Sequence, residues 1–328
     1  MKNAIAIDLG STNTYIYQSG VGIVLDEPTM VAISSDKNKV VAVGEEAKKL
    51  YGLSVENTSV VYPIFEGVVQ NEYALVQMLI TYLKKVEYSG QLIVLSVPCG
   101  IEKENLVAFE RAFNKAGAYK IIFVESPICS AIGMGILSES NAPRFVVNIG
   151  GGTTNISAVS KNGIIAGVCI NLGGQNIDSM LVKHIEKNIK LKIGMLTSEK
   201  LKNQLASLYD GDELRHVVSG RDMELGRPRP VSIGAEDILQ PMKVFFDIVI
   251  NVIERLITKL PPEVLGEINR SGIYVTGGVS KLCGLDEYFE KELKMRVIVD
   301  DNGEYSNVMG AGLLAGNKDL LKLYKLDK

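Results

Sequence analysis

One pattern restricts this chain more than any other, because it occurs twice. "AIDLGSTNTYIY" runs over 6–17 and "VVNIGGGTTNISAV" over 146–159. Each is an apolar run, an acid or its amide, a glycine, a small polar cluster and a second apolar run. Asp8 answers Asn148, Gly10 answers Gly150, Thr14 answers Thr154 and Ile16 answers Ile156, always 140 residues apart. A turn of Gly, Ser, Thr and Asn between two strands lets successive backbone N–H groups converge on an anion. The same residues also favour an ordinary hairpin turn, so either turn alone says little. Two such turns in matching halves would face each other across a cleft, which suits a polyphosphate. The halves differ in charge, an acid in the first and a neutral amide in the second.

A chain of 328 residues exceeds one compact core, so two or more domains are expected. A formal charge of −3 lacks the basic footprint of a nucleic-acid binder, so no nucleic acid is expected as a partner. The four cysteines form no CxxC pair and sit among apolar or small residues, as reduced and mostly buried thiols do. His184 and His216 have no ligand partners at metal spacing. The opening "MKNAIAIDLG" lacks a signal-peptide core, and no stretch reaches 18 uncharged apolar residues. A cytoplasmic location is expected.

Alternation and β-branching predict strands at 4–8, 15–18, 30–34, 40–43, 91–97, 120–124, 145–149, 156–160, 164–170, 272–276 and 296–299. Helical spacing predicts helices at 45–50, 72–86 and 103–116, the second with Leu75, Met78, Leu79 and Leu83 on its core face. A longer helix is expected to start at Pro241, to carry a buried stripe of Val244, Ile248, Val252 and Leu256, and to stop at Pro261 and Pro262. The stretch 219–230, broken by Gly and Pro, reads as an exposed hairpin loop. Strands and helices alternating along the chain indicate an α/β fold.

A third glycine site, "GIYVTGGVSKLCGLDEYF", is a strand delivering Gly277 and Gly278 to a helix expected to begin near Leu285. That arrangement suits backbone packing against a base or phosphate. No GxxxxGK[ST] is present and no GxGxxG opens the first βα unit, so neither a P-loop nor a dinucleotide-binding Rossmann unit fits.

The strings "IDLGSTNT", "GIVLDEPTMVAI", "VVAVGEEAKK", "VPCGI", "VESPICSAIG", "NIGGGTTN", "GRDMELGRP" and "IYVTGGVSKLCGLDEYF" occur in the order and spacing of bacterial actins. In them the chain resembles the MreB/Mbl family from Ile5 to about Ala315. The resemblance implies an actin-like (ribonuclease H-like) duplicated fold of two lobes and four subdomains around a nucleotide cleft. It implies subdomain IA from 1–30, 64–138 and 306–328, IB from 31–63, IIA from 139–175 and 238–305, and IIB from 176–237. The implied ligand is ATP or ADP with Mg. Ser11, Thr12 and Asn13 would contact phosphate from the first turn, and Gly151, Gly152 and Thr153 from the second. Glu199 and Lys202 would meet ribose and base. Gly277, Gly278, Val279 and Ser280 would line the base and α-phosphate side, and Asp8 would hold Mg through water. The implied partner is a further copy of the chain, in cytoskeletal filaments serving cell shape or, in a wall-less cell, motility. Membrane-bound shape or adaptor proteins are further expected partners.

The chain departs from the family pattern where the chemistry would occur. The family's Glu-Glu-Pro is Glu125-Ser126-Pro127 here, its second-turn Asp is Asn148, and Asn71 replaces the Asp that closes its "DGVIAD" stretch. In the family the second Glu helps orient the attacking water, so hydrolysis is expected to be slow while binding persists, unless Glu125 or a reoriented Ser126 holds the water. Thr153 belongs to the same catalytic group. The loop 84–91, which corresponds to a membrane-dipping loop in many relatives, offers only Val86 and Tyr88 as apolar contacts. Peripheral contact with the cell membrane stays open on these grounds. The alternative is a non-polymerising ATPase, chaperone or small-molecule kinase on the same scaffold. Against it stand the missing carboxylates at 126 and 148 and the lack of an expected substrate-binding extension.

Overall fold

The computed structural model describes residues 4–36, 39–53, 57–137 and 142–326. Its organising feature is a five-stranded sheet built twice. In the first, Ile5–Leu9, Asn13–Gln18 and Gly22–Pro28 form an antiparallel meander, and Ile93–Val97 and then Ile121–Glu125 add in parallel beside the first strand. In the second, Arg144–Ile149, Thr154–Ser160 and Gly163–Ile170 form the meander, and Ile273–Thr276 and Val297–Val299 add in the same way.

The match extends to register. Leu9 pairs with Thr14 and Ile149 with Thr154, and the turns close identically, Gly10 N–H donating to Asn13 O at 3.0 Å and Gly150 N–H to Thr153 O at 2.9 Å. The strands buried on both faces read as continuous apolar runs, as parallel neighbours require.

Each sheet feeds a helix, Ser126–Gly133 from the first and Gly303–Gly316 from the second, and the two helices cross between the lobes. The crossing depends on glycine. A Cβ on Gly310 would stand 1.7 Å from Cys129 O, and one on Gly133 1.8 Å from Ser306 O. Around this joint Ala6, Val94, Val124, Val146, Val159 and Ala311 form a core shared by both halves. Each lobe also has its own core, in the first around Leu75, Met78, Leu79, Phe113 and Phe123 and in the second around Phe245, Phe246 and Phe289. Three-stranded sheets extend the lobes, Lys39–Val43, Val31–Ser34 and Thr58–Val61 in one, and Leu191–Lys192, Arg215–Asp222 and Pro228–Gly234 in the other.

Most expected elements stand within two residues of their expected ends, and the helix Glu45–Leu50 stands where its spacing puts it. The expected core face of Glu72–Lys85 is buried, and Asn71 caps that helix by accepting from Ala74 N at 3.0 Å.

Two expectations need correction. The long helix is Ala235–Ile257, so Pro241 lies inside it rather than at its start, and the stop comes four residues before Pro261. Its expected stripe is only partly buried: Val244 and Ile248 are exposed while Leu256 is buried, and the true core face is Met242, Phe245, Phe246, Val249 and Ile253. Residues 219–230 are not a loop but mostly two paired strands around a short turn at 223–227. Pro228 and Pro230 are tolerated because their strand is the edge of its sheet.

Candidate functional site

The two glycine turns meet at the bottom of a cavity of about 410 Å³ between the lobes, within the size range of small-molecule sites. They touch so closely that side chains are excluded on one side. A Cβ on Gly151 would lie 2.0 Å from Thr12 Oγ1, and one on Gly152 2.4 Å from Ser11 Oγ. Gln175, at the start of helix Gly174–Ile189, ties the turns together by donating to Ser11 O at 3.1 Å. Behind it Gly174 N–H donates to Gly150 O at 2.9 Å. The site is thus a ring of backbone and hydroxyl groups, and Ser11, Thr12, Asn13, Gly151, Gly152 and Thr153 all line it.

The paired positions 8 and 148 differ in their surroundings. Burial pushes the Asp8 carboxyl up to about 6, and a hydrogen bond from Asn307, on helix Gly303–Gly316, opposes the rise. Asn148 donates instead, to Ser126 Oγ at 3.1 Å and Ser130 Oγ at 2.9 Å on helix Ser126–Gly133. All three are buried. The two altered positions of the sequence, 126 and 148, are therefore partners. Glu125 does not line the cavity; its Oε1 accepts from Gly100 N at 2.7 Å.

On the opposite wall, Gly277, Gly278 and Val279 line the cavity, and Ser280 does not. Ser280 turns back and donates to Gly277 O at 2.7 Å, holding the glycine turn from behind. Gly277 needs its missing side chain, having φ 93° with Asn148 Oδ1 2.6 Å from where a Cβ would be. Glu199 and Lys202 lie on helix Met195–Leu205, and neither is free. Lys202 donates to Gly174 O at 3.2 Å and to Asp178 Oδ2 at 2.9 Å. Burial lifts the Asp178 carboxyl to about 6 despite the Lys202 charge beside it. Glu199 pairs with Lys48, which comes from the other lobe.

Sequence reasoning missed Lys48, Gln175, Asp178 and Asn307. Gln175 and Asp178 follow the pair Gly173-Gly174, a glycine signal like the other three and legible in principle. Lys48 in "EEAKK" looks like any solvated helix end, and nothing in the string marks Asn307. Among the described residues there is no group of three or more His, Cys, Asp or Glu that could hold a metal ion. Likewise no helix there is long and apolar enough to cross a membrane. In the loop 84–91, Val86 and Tyr88 both pack on the first-lobe core, and the Tyr88 hydroxyl donates to Gln91 O at 3.0 Å.

The family model described as MreB/Mbl protein matches residues 2–323. The chain belongs to the MreB/Mbl family. It is 31% identical over 311 residues to the cell shape-determining protein MreB of Escherichia coli strain K12, covering 92% of this chain and 90% of that one. The crystal structure of MreB 5 of Spiroplasma citri bound to AMPPNP superposes with a TM-score of 0.92 at 26% identity, over 98% of both chains. The same protein bound to ADP gives 0.93. A MamK double helical filament shares the fold, with a TM-score of 0.81 at 21% identity over 96% of this chain and 99% of that one. This MreB/Mbl chain therefore has the two-lobed actin-like architecture and is a homologue of cell shape-determining bacterial actins.

Proposed function

We propose that the chain binds ATP or ADP with Mg in the cleft, assembles with further copies of itself into cytoskeletal filaments for cell shape or motility, and hydrolyses ATP slowly. The observation that carries this reading is the pair of turns in identical register, in mutual contact at the base of a cavity of about 410 Å³. Ser11, Thr12 and Asn13 on one side and Gly151, Gly152 and Thr153 on the other offer amides and hydroxyls to phosphate oxygens. Glu199 and Lys202 face the ribose and base, and Gly277, Gly278 and Val279 form the opposite wall, with Ser280 supporting Gly277. Mg bound with a nucleotide takes one or two carboxylates, phosphate oxygens and several waters, a demand that the half-buried Asp8 carboxylate meets. When bound, it neutralises phosphate charge. AMPPNP and ADP in MreB 5 support the nucleotide assignment.

Slow hydrolysis follows from the residues at 126 and 148. Both are neutral and hydrogen-bonded to each other, so neither can take a proton from an attacking water. Loss of a positioned general base costs about 10²- to 10⁴-fold in rate. Thr153 is left to orient the nucleophile without a carboxylate partner, and Glu125 is committed to Gly100.

Nucleotide affects assembly to the extent that it binds the polymer conformation of the lobes better than the free one. Filament growth further requires heterologous contacts that do not close. The two five-stranded and two three-stranded sheets support a division into subdomains IA, IB, IIA and IIB, the boundary expected at 138/139 lying outside the described residues. A cytoplasmic protein acting near the cell membrane through shape or adaptor proteins fits this reading. With Val86 and Tyr88 packed inward, peripheral contact through the loop 84–91 would rest on charge rather than apolar insertion.

The test is sedimentation with negative-stain microscopy in Mg-ATP, Mg-ADP and no nucleotide, with phosphate release followed in the same tubes. Filaments well ahead of phosphate are the expected result. Brisk release with no filaments at any concentration would favour the enzyme alternative.

A further inference from the structure

Among the described residues Lys48 is the cation that reaches Glu199 from across the cleft. Lys48 Nζ stands 3.1 Å from Oε1 and 3.1 Å from Oε2, so the ammonium sits between the two oxygens and leaves the outer face of each free to accept. The residues are 151 apart in sequence and belong to different lobes. Both are at the cavity mouth, with side-chain exposures of 29% and 22%, which is too buried for a freely solvated ion pair.

Each end of the pair is built on a fixed base. Lys48 rides on helix Glu45–Leu50, whose Ala47 is buried against Met30 and Ala32 and whose first amide donates to Glu27 Oε2 at 3.0 Å. Glu199 rides on helix Met195–Leu205, held by buried Leu201 and Leu205 and by Ser198 Oγ donating to Asp178 O at 2.8 Å. A single side-chain pair between two anchored helices transmits a displacement of either lobe to the carboxylate. A long lysine loses rotamer freedom when held this way, a cost that an ion pair of this exposure offsets only modestly.

We infer that Lys48 is a positioning residue for the nucleotide ribose: it holds the Glu199 carboxylate from the opposite lobe with its free oxygen faces toward the ribose hydroxyls, so that sugar recognition depends on the lobes being closed. The inference rests on the reading of Glu199 as the ribose contact. Its consequence is a division of labour on one helix. Lys202 is fixed to its own lobe through Asp178 and Gly174 and is indifferent to closure, whereas Glu199 is oriented only when the other lobe is near.

The experiment is calorimetric titration of the full chain with Mg-ATP and with Mg-2′,3′-dideoxy-ATP, which lacks both ribose hydroxyls. Their affinity ratio isolates sugar recognition from phosphate binding and from general damage. The unaltered protein is expected to prefer ATP about tenfold or more, the worth of a hydrogen bond to a charged acceptor. Lys48→Met should reduce the ratio to about twofold, while Lys48→Arg, which retains a cation across the cleft, should keep most of it. Glu199→Gln should reduce it equally, and the double variant K48M/E199Q should fall no further than E199Q alone. Melting curves without nucleotide confirm that each variant is folded. A K48M protein with the full ratio, beside an E199Q protein that has lost it, overturns the role of Lys48 and leaves the ribose contact standing. An E199Q protein that keeps the full ratio overturns the ribose contact and the role of Lys48 with it.

Discussion

The two turns have one backbone and opposite chemistry. In the first, the Asn307 amide faces Asp8 and favours its charged form; in the second, Asn148 donates to the hydroxyls of Ser126 and Ser130. In both, the partner comes from the helix that follows a five-stranded sheet, Gly303–Gly316 for Asp8 and Ser126–Gly133 for Asn148. The fold thus offers each turn one facing helix, and the residues on it decide whether the site holds a charge. With an acid facing an amide, the first half keeps a carboxyl group that can carry charge. With an amide facing two hydroxyls, the second half is neutral and self-satisfied. Duplication preserved the backbone geometry of the turn in both halves, but the acid of the first, Asp8, is the neutral Asn148 in the second.

The joint between the halves is where the comparison breaks most easily. Gly310→Ala places a methyl group 1.7 Å from Cys129 O, a backbone atom that cannot move aside without parting the helices. A loss of about 3 kcal/mol or more in urea unfolding is expected, the upper range for overpacking a core. A change below about 1 kcal/mol would mean that the crossing is looser than drawn.

Giving the second half back its charge sharpens the comparison. The double substitution Ser126→Glu with Asn148→Asp should raise ATP-dependent phosphate release by about 10²-fold, the lower end of general-base catalysis. Either substitution alone should do much less, because it supplies one of the two acids and leaves that carboxylate held by a neutral donor across the 3.1 Å contact. Unchanged release in the double variant would overturn the proposal that these two positions limit hydrolysis.

Making the first half resemble the second tests the opposite direction. In protein free of nucleotide and metal, burial holds Asp8 near 6, above the ordinary 3.8. Between those values the folded chain keeps a proton that the unfolded chain has released. Stability therefore falls as pH rises from about 4 to about 6 and stays lower above it. Asp178, also near 6, contributes in the same window. Asp8→Asn should remove the Asp8 share, gaining on the order of 2 kcal/mol at pH 7 and flattening the pH profile, while abolishing the response to Mg-ATP. Equal pH slopes in the two proteins would show that Asp8 is solvated.

The turns were legible in the sequence because their chemistry is local: glycines, hydroxyls and flanking strands lie within a dozen residues. What was not legible depends on the rest of the molecule. Four-residue spacing does not follow a 3.6-residue helix, so the stripe from Val244 to Leu256 turns by about 40° per step and runs from solvent at Val244 and Ile248 onto the core face at Leu256. Pro241 reads as a helix start, yet the helix begins six residues earlier, where the Asp237 carboxylate accepts from Gly234 N at 2.8 Å. The hairpin at 219–230 contains prolines that exclude a central strand but not an edge one, and which strand is the edge is a property of the sheet. Glu125 and Ser280 were nominated by position in a motif. Their side chains turn toward Gly100 N and Gly277 O, partners that no string reveals.

The finest distinction between the halves lies one residue beyond each turn. Thr14 and Thr154 occupy equivalent, fully buried positions, but Thr14 Oγ1 shares a 2.8 Å hydrogen bond with Thr29 Oγ1, while Thr154 Oγ1 donates to the backbone of Leu172 at 2.6 Å. Thr14→Val strands the Thr29 hydroxyl in the core, and Thr154→Val strands a carbonyl oxygen; each should cost about 1–2 kcal/mol in chemical denaturation. The first loss is reversible by design. Adding Thr29→Val removes the orphaned partner and replaces a buried polar pair with an apolar one of the same shape, so T14V/T29V should return to within about 0.5 kcal/mol of the parent. No second substitution can remove the Leu172 carbonyl, so T154V has no equivalent rescue. If T14V/T29V is instead worse than T14V, the Thr29 hydroxyl has a second partner in the first turn, where Thr29 N–H already donates to Thr12 O at 2.8 Å. The first turn would then be held by side chains where the second is held by backbone.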